Sequence, residues 1–272
     1  MNSIITVLKE QFQSFYLIRR LSLYQFKSDN RNNYLGIWWE LINPMIQIAV
    51  YSFVFGAGFR QGKPISEHIS YFEWLLAGIS VWFFINQSIL LGSKSIYTRI
   101  RMVSKMSFPM SVIPTFVIIT KFYQHLMVLA AVIIILQCTG AYVTIQVLQL
   151  PYFMLSTIAL MVSLSLITST LATIVRDVQM IIQSIMRILF YLTPILWPLD
   201  MFEHHKWIQT IVMLNPLNYL IEGYRSSLLG YPSWFSIDRY GYTLYFWAMV
   251  LILFVLGAWI HTKFRDRFVD FL

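Results

Sequence analysis

The chain has 272 residues, of which 58% are hydrophobic and only 12% charged, with mean hydropathy +0.64. Soluble domains carry about 25% charged residues, so this composition excludes a water-soluble globular domain and fits a polytopic membrane protein. The net charge of +8 is assigned to basic loops on the cytosolic side of a membrane rather than to nucleic-acid binding.

Residues 1–30 carry scattered charge and no continuous apolar run, so no cleavable signal peptide is expected there. Residues 1–33 are predicted to form an amphipathic helix of their own. Lys9, Gln13, Arg20 and Lys27 fall on one stripe at 100° per residue, opposite Ile4, Leu8, Phe12, Phe15 and Phe26. Such a helix suits the headgroup region, apolar face down; packing on a protein partner is the alternative. Residues 34–272 are predicted to form one membrane domain.

A bilayer core needs about 20 mostly apolar helical residues. Six stretches qualify: Trp38–Phe59, Trp74–Leu91, Val112–Leu136, Tyr152–Val175, Met180–Leu199 and Tyr242–Ile260. The fourth and fifth are joined by "RDVQ" as a tight hairpin. The fold class expected is therefore all-α: a polytopic membrane protein with six transmembrane helices and an interfacial N-terminal helix. Between spans five and six, Asn215-Pro216 is predicted to start a short outer re-entrant helix ending at Gly230. With the N-terminus inside, 13 of the 20 basic residues fall in inner segments. Five fall outside: Arg60, Lys63, Lys206, Arg225 and Arg239. Both termini are thus expected in the cytosol.

At the entry to span one, Trp38 and Trp39 suit an interfacial aromatic belt. Gly36 allows a sharp turn, Glu40 lies near the headgroups, and Pro44 removes a backbone donor and favours a kink. Polar residues inside spans are functional candidates by default. Gln179, Gln183, Arg187 and Tyr191 are spaced by four along span five, and Lys121 and His125 are spaced by four in span three, beside Gln124. Two roles stay open for them: a hydrophilic substrate path, or an interhelical hydrogen-bond network. Arg187 suits phosphate geometrically, or could pair with Glu40. The loop Ser93–Met110 holds four basic residues and no acidic one. Ile96, Ile100 and Val103 recur there at helical spacing.

Several chemistries are disfavoured. The nearest approach to a Walker A loop, "AGFRQGKP", has Ala57 in place of the first glycine and Pro64 in place of the final Ser/Thr. His204-His205 lacks metal-ligand spacing. A membrane glycosyltransferase or intramembrane protease is a distant alternative: inner carboxylates are sparse, and "GIS" at Gly78–Ser80 is followed by Val81. The single cysteine, Cys138, allows no intrachain disulfide.

The order "YLGIWWELINPMIQIAVY", "IRMVSKMSFPMSVIP", "VRDVQ…YLTPILWP" and "MLNPLNYLIEGYRSSLLG" resembles the ABC-transporter permeases that export polysaccharides and teichoic acids. Within that family the lead-in "FYLIRRLSLYQFKSDNRNNYLG" looks most like the wall teichoic acid exporters of Gram-positive bacteria. The resemblance implies a homodimeric permease in the bacterial cytoplasmic membrane, coupled to two copies of a separate ATPase that holds ATP and Mg. The permease itself would be no enzyme and hold no cofactor or metal. Its cargo would be an undecaprenyl-diphosphate-linked polymer, teichoic acid first, with O-antigen, capsular polysaccharide or a small lipophilic compound as alternatives. Trp38, Trp39, Glu40, Lys121, His125, Gln183, Arg187 and Tyr191 become candidates for the substrate path. Ile96, Arg99, Ile100, Arg101, Val103 and Lys105 become candidates for ATPase coupling.

Overall fold

The computed structural model describes residues 2–31, 34–59, 64, 65, 69–99, 109–141, 144–202, 205–230, 240–265 and 268. Nearly all of these are helical, as the composition requires: in lipid, a helix satisfies its own backbone groups. The α-helices, in chain order, are α1 (Asn2–Gln13), α2 (Phe15–Asp29), α3 (Trp39–Tyr51), α4 (Tyr71–Ser93), α5 (Val112–Thr139), α6 (Leu150–Ile174), α7 (Asp177–Leu192), α8 (Lys206–Leu214), α9 (Pro216–Leu229) and α10 (Tyr240–Phe264). Among the described residues, five segments are long and apolar enough to cross a membrane: Gly36–Gly58, Tyr71–Ser93, Val112–Thr139, Ile145–Ile174 and Tyr240–Phe264.

The predicted fifth span, Met180–Leu199, is cut short. Helix α7 has 16 residues and ends at Leu192; the next residue, Thr193, has an extended backbone (φ −79°, ψ 139°). Proline disfavours helical geometry in the residue before it, and Pro194 follows Thr193. At 1.5 Å per residue α7 is about 24 Å long. The predicted N-terminal helix is two helices, meeting at Ser14 (φ −96°, ψ 11°). Val7 of α1 is buried against Leu166 and Ala258, and Ile18 of α2 against Val112, Ile113 and Phe116. Phe12, Phe15 and Tyr16 stay exposed. This element therefore has two apolar lines, one for the bundle and one left for a headgroup layer.

Helix α4 is the centre of the bundle, packing on α3, α5, α6, α7 and α9. Of its most apolar window 72% is buried, against 11% for the α3 segment and 22% for α10. Its start is fixed by a capping box: the Ser70 hydroxyl accepts from the Glu73 amide at 3.3 Å, and the Glu73 carboxylate accepts from the Ser70 amide at 2.9 Å.

The helix predicted between Asn215-Pro216 and Gly230 is present. Asn215 caps α9, its side chain accepting from the Leu217 amide at 3.0 Å, with Pro216 at the first turn. Gly230 ends the helix in the left-handed region (φ 74°). All but Pro216, Glu222 and Leu229 of its residues are buried. A helix buried on all sides belongs inside the bundle rather than on its surface. Tyr224 reaches His125 at the middle of α5, Oη to Nε2 3.0 Å. The preceding α8 is the opposite case, with Val212 its buried residue and Trp207, Ile211, Met213 and Leu214 exposed.

Arg225, expected in an outer loop, is fully buried. Its guanidinium stacks on Trp74, 3.4 Å from the ring centroid. It donates to the Pro194 carbonyl at 2.8 Å, the Ile195 carbonyl at 3.0 Å, the Trp74 carbonyl at 3.3 Å and the Glu222 carboxylate at 2.5 Å. One side chain thereby joins α9, the start of α4 and the irregular segment after α7. Gly78 makes room for it: a Cβ there would lie 2.6 Å from Nε and Nη2.

Arg225→Leu is expected to destabilise the detergent-purified protein by about 3–5 kcal/mol, the usual cost of breaking a buried charged network. Gly78→Ala should cost about 1–3 kcal/mol by overpacking. Because leucine leaves space for the added methyl, thermal unfolding of the double variant should show a loss smaller than the sum. Strict additivity would contradict the packing described.

Candidate functional site

The chain enters α3 through a tight turn at Gly36 (φ 52°) and a single 3-10 turn, Gly36–Trp38. Trp38 and Trp39 are both exposed. The Glu40 carboxylate accepts from the Asn30 side-chain amide at 2.8 Å, tying the end of α2 to the first turn of α3. Asn43 accepts from the Gln47 amide at 3.1 Å, one turn on. Asn30, Trp39, Glu40 and Asn43 border an open cavity of ≈ 360 Å³. These polar residues therefore serve the junction between a surface helix and a span.

The proposed pairing of Glu40 with Arg187 is not formed within the chain. Glu40 is in the first turn of α3, whereas Arg187 lies about 15 Å along α7 at 1.5 Å per residue. The two helices start at the same end of the bundle and meet near their far ends, where Tyr51 and Phe190 have ring centroids 5.4 Å apart. Arg187 is exposed, and its Nε donates to the Gln183 carbonyl at 3.4 Å.

The row Gln179, Gln183, Arg187, Tyr191 does not stay on one face. Each step of four advances 40° around a helix of 3.6 residues per turn, so three steps turn it by about 120°. Gln179 is buried against α4, accepting from Ser93 Oγ at 2.5 Å and donating to the Leu90 carbonyl at 3.1 Å. Gln183, Arg187 and Tyr191 are exposed. With them on the open side of α7 are Met180, Ile181, Ile185 and Ile188. Ile46, Val50 and Phe53 on and beyond α3 are exposed too.

Lys121 and His125 lie elsewhere, inside the protomer. His125 is 2% exposed, stacks on Phe84 at 5.0 Å between centroids and bonds Tyr224. Lys121 Nζ is 3.3 Å from Gln124 Oε1 and 3.8 Å from Asp29 Oδ2 of α2. Lys121, Gln124 and His125 border a cavity of ≈ 10 Å³, room for about one water. These contacts join α2, α5 and α9, and Pro44 of α3 borders the same cavity.

Of the coupling candidates, Ile100, Arg101, Val103 and Lys105 lie outside the described residues. Ile96 is fully buried in the chain's own core with Ile18, Val112 and Phe116, so its side chain is not free to dock on a partner. Arg99 stands over the Phe116 ring at 5.3 Å. Burial lowers its pKa from the ordinary value, partly opposed by the Asp29 carboxylate.

A second polar junction, not foreseen from the sequence, sits at the same end. Glu10 accepts from Arg265 Nη1 at 2.9 Å and from the Ser111 hydroxyl, while Gln11 Nε2 donates to the Ser111 carbonyl at 2.9 Å. It links α1, the end of α10 and the turn into α5. The sequence separations of 100, 101 and 255 residues are why no local pattern announces it.

Residues 16–229 match the family model described as ABC-2 type transporter. The O-antigen export system permease protein RfbA of Myxococcus xanthus is 25% identical over 222 residues, covering 82% of this chain and 84% of that protein. A protein of the same name from Klebsiella pneumoniae is 26% identical over 244 residues, covering 89% of each. The matched region runs from α2 through α9, and so includes the surface helix, the α3 entry, the α7 row and the Arg225 junction. This multi-pass membrane chain belongs to the ABC-2 type transporter family.

Proposed function

We propose that the chain is the membrane-spanning subunit of an ATP-driven exporter of lipid-linked polysaccharide. Two copies enclose the path, and a separate ABC ATPase, also in two copies, supplies the energy from the cytosolic side, where both termini lie. The observation that carries this reading is the open side of α7, where Gln183, Arg187 and Tyr191 interrupt an apolar surface. An arginine facing lipid at depth costs roughly 2.5–3.5 kcal/mol. A second copy covering α7 and the sparsely buried α3 removes that cost and turns the row into a polar seam. A guanidinium there suits a diphosphate or sugar-phosphate passing between the copies.

An O-antigen-type glycan is the cargo favoured by the names of the relatives. Teichoic acid is the second reading, supported by the lead-in Phe15–Gly36 alone. Trp38, Trp39 and Glu40 stand at the rim where a lipid-linked substrate would enter.

If Arg187 meets cargo, Arg187→Gln should assemble at wild-type yield and keep basal ATPase in the complex. Its cargo-stimulated ATPase should fall about 10- to 100-fold, the worth of a charge-assisted hydrogen bond. Loss of dimer yield and thermal stability instead would assign it to subunit association, and unchanged transport would remove it from the path. Comparing lipid-linked glycans with polyol-phosphate oligomers as stimulants in the reconstituted complex decides the cargo class.

Reversing the charge of Arg99 and Arg101 together should release or uncouple the ATPase while leaving the chain inserted. A stoichiometric complex with full cargo-stimulated hydrolysis would exclude this segment from the contact.

A further inference from the structure

A second polar cavity, of ≈ 400 Å³, opens between α2, α5 and the turns that follow α4. Its polar walls are Gln25 and Asp29 of α2, Lys94, Thr98 and Arg99 after α4, and Thr120 and Lys121 of α5. Three cations thus face one carboxylate. That carboxylate is already engaged, accepting from Gln25 Nε2 at 2.5 Å and lying 3.8 Å from Lys121 Nζ. Lys121 is 11% exposed at its side chain. Lys94 is half-buried; its carbonyl accepts from the Thr98 hydroxyl at 2.8 Å, but its ammonium makes no hydrogen bond or ion pair among the described residues. Arg99 spends one guanidinium nitrogen on the Ser95 carbonyl at 3.4 Å and the Thr98 hydroxyl at 3.3 Å. Taking cations out of water is costly unless an opposite charge compensates them, and here the described lining supplies one anion for three.

Two features indicate what supplies the rest. The cleft is flanked by a helix whose Tyr16 and Tyr24 are exposed, as suits residues at the headgroup layer. Its apolar walls, Leu91 and Val117, suit the start of an acyl or glycerol moiety. Its volume falls within the about 300–1,000 Å³ of small-ligand sites. We propose that this cleft binds the phosphate of an anionic lipid headgroup within each protomer. The site requires membrane insertion but does not depend on the identity of the cargo. Lys94, Arg99 and Lys121 hold the phosphate, and Thr98 adds a hydroxyl. The occupant closes the gap between α2 and the bundle, so lipid binding also fixes the surface helix.

Native mass spectrometry of the purified full chain, titrated with phosphatidylglycerol or phosphatidylcholine, tests this. Phosphatidylglycerol should bind at least about tenfold more tightly, equivalent to about 1.4 kcal/mol. Lys94→Gln/Lys121→Gln should abolish the preference, and Lys94→Arg/Lys121→Arg should restore it. Arg99 is left intact so that failure here is separable from loss of ATPase coupling. A photo-crosslinking side chain in place of exposed Thr98 gives an independent reading without removing a cation. Labelled phosphatidylglycerol should be captured there and displaced by unlabelled phosphatidylglycerol, not by phosphatidylcholine. Displacement by inorganic pyrophosphate as well would support the phosphate site and extend it to a diphosphate carrier. Resistance to pyrophosphate would support a membrane phospholipid as the occupant. Equal affinity for the two lipids, or an undiminished preference in the double Gln variant, would overturn the proposal.

Discussion

A buried guanidinium sets the terms for the bundle. Arg225 takes a full charge out of solvent and must find acceptors for its donors. It finds them on three separate pieces of chain: the Trp74 carbonyl, the Pro194 and Ile195 carbonyls, and its own neighbour Glu222. The carbonyls at 194 and 195 are available because Pro194 ends α7. The ring of Trp74 is in reach because the capping box at Ser70 starts α4 at that level. Gly78 completes the notch. The break in α7, the start of α4 and the insertion of α9 are therefore one arrangement, each part positioned by the same cation.

The polar residues of the membrane region fall into two groups. On one side, Lys121 bonds Gln124 within α5, and His125 bonds Tyr224 of α9. On the other, Gln183, Arg187 and Tyr191 face outward beside the sparsely buried α3 segment. Gln179, two turns from Arg187, already belongs to the packed side through Ser93 and Leu90. The rotation of a straight helix makes this division: a spacing of four drifts by 40° per step, so a polar row starts against the core and finishes in the open.

Local chemistry was readable from the sequence, and long-range pairing was not. Asn215, Pro216 and Gly230 announced both ends of α9, because caps and left-handed glycines act within a few residues. The apolar runs located the long helices for the same reason. Pro194 carried the signal that α7 stops early, but hydropathy ran on through Ile195, Leu196 and Trp197 and masked it. Arg225 looked like a loop cation because its partners lie up to 151 residues away. Lys121 and His125 formed a sound polar pair on α5, yet which side they face depends on α2 and α9. The Glu40 position was legible as an interface carboxylate. Its partner was not, since Asn30 offers no charge to match.

The notch beside Gly78 has a bearing on how the chain is made. Trp74 and Gly78 leave the ribosome about 150 residues before Arg225 does. At roughly 5–20 residues per second that is an interval of about 8–30 s. During it α4, the helix most enclosed in the finished molecule, lacks the element that closes over its first turns. Nascent chains released before α9 would keep an aromatic cleft open within the bilayer, with the carbonyls after α7 unpaired. The centre of the structure is thus among the last parts to be completed, and its closure reports that nearly the whole chain has been inserted.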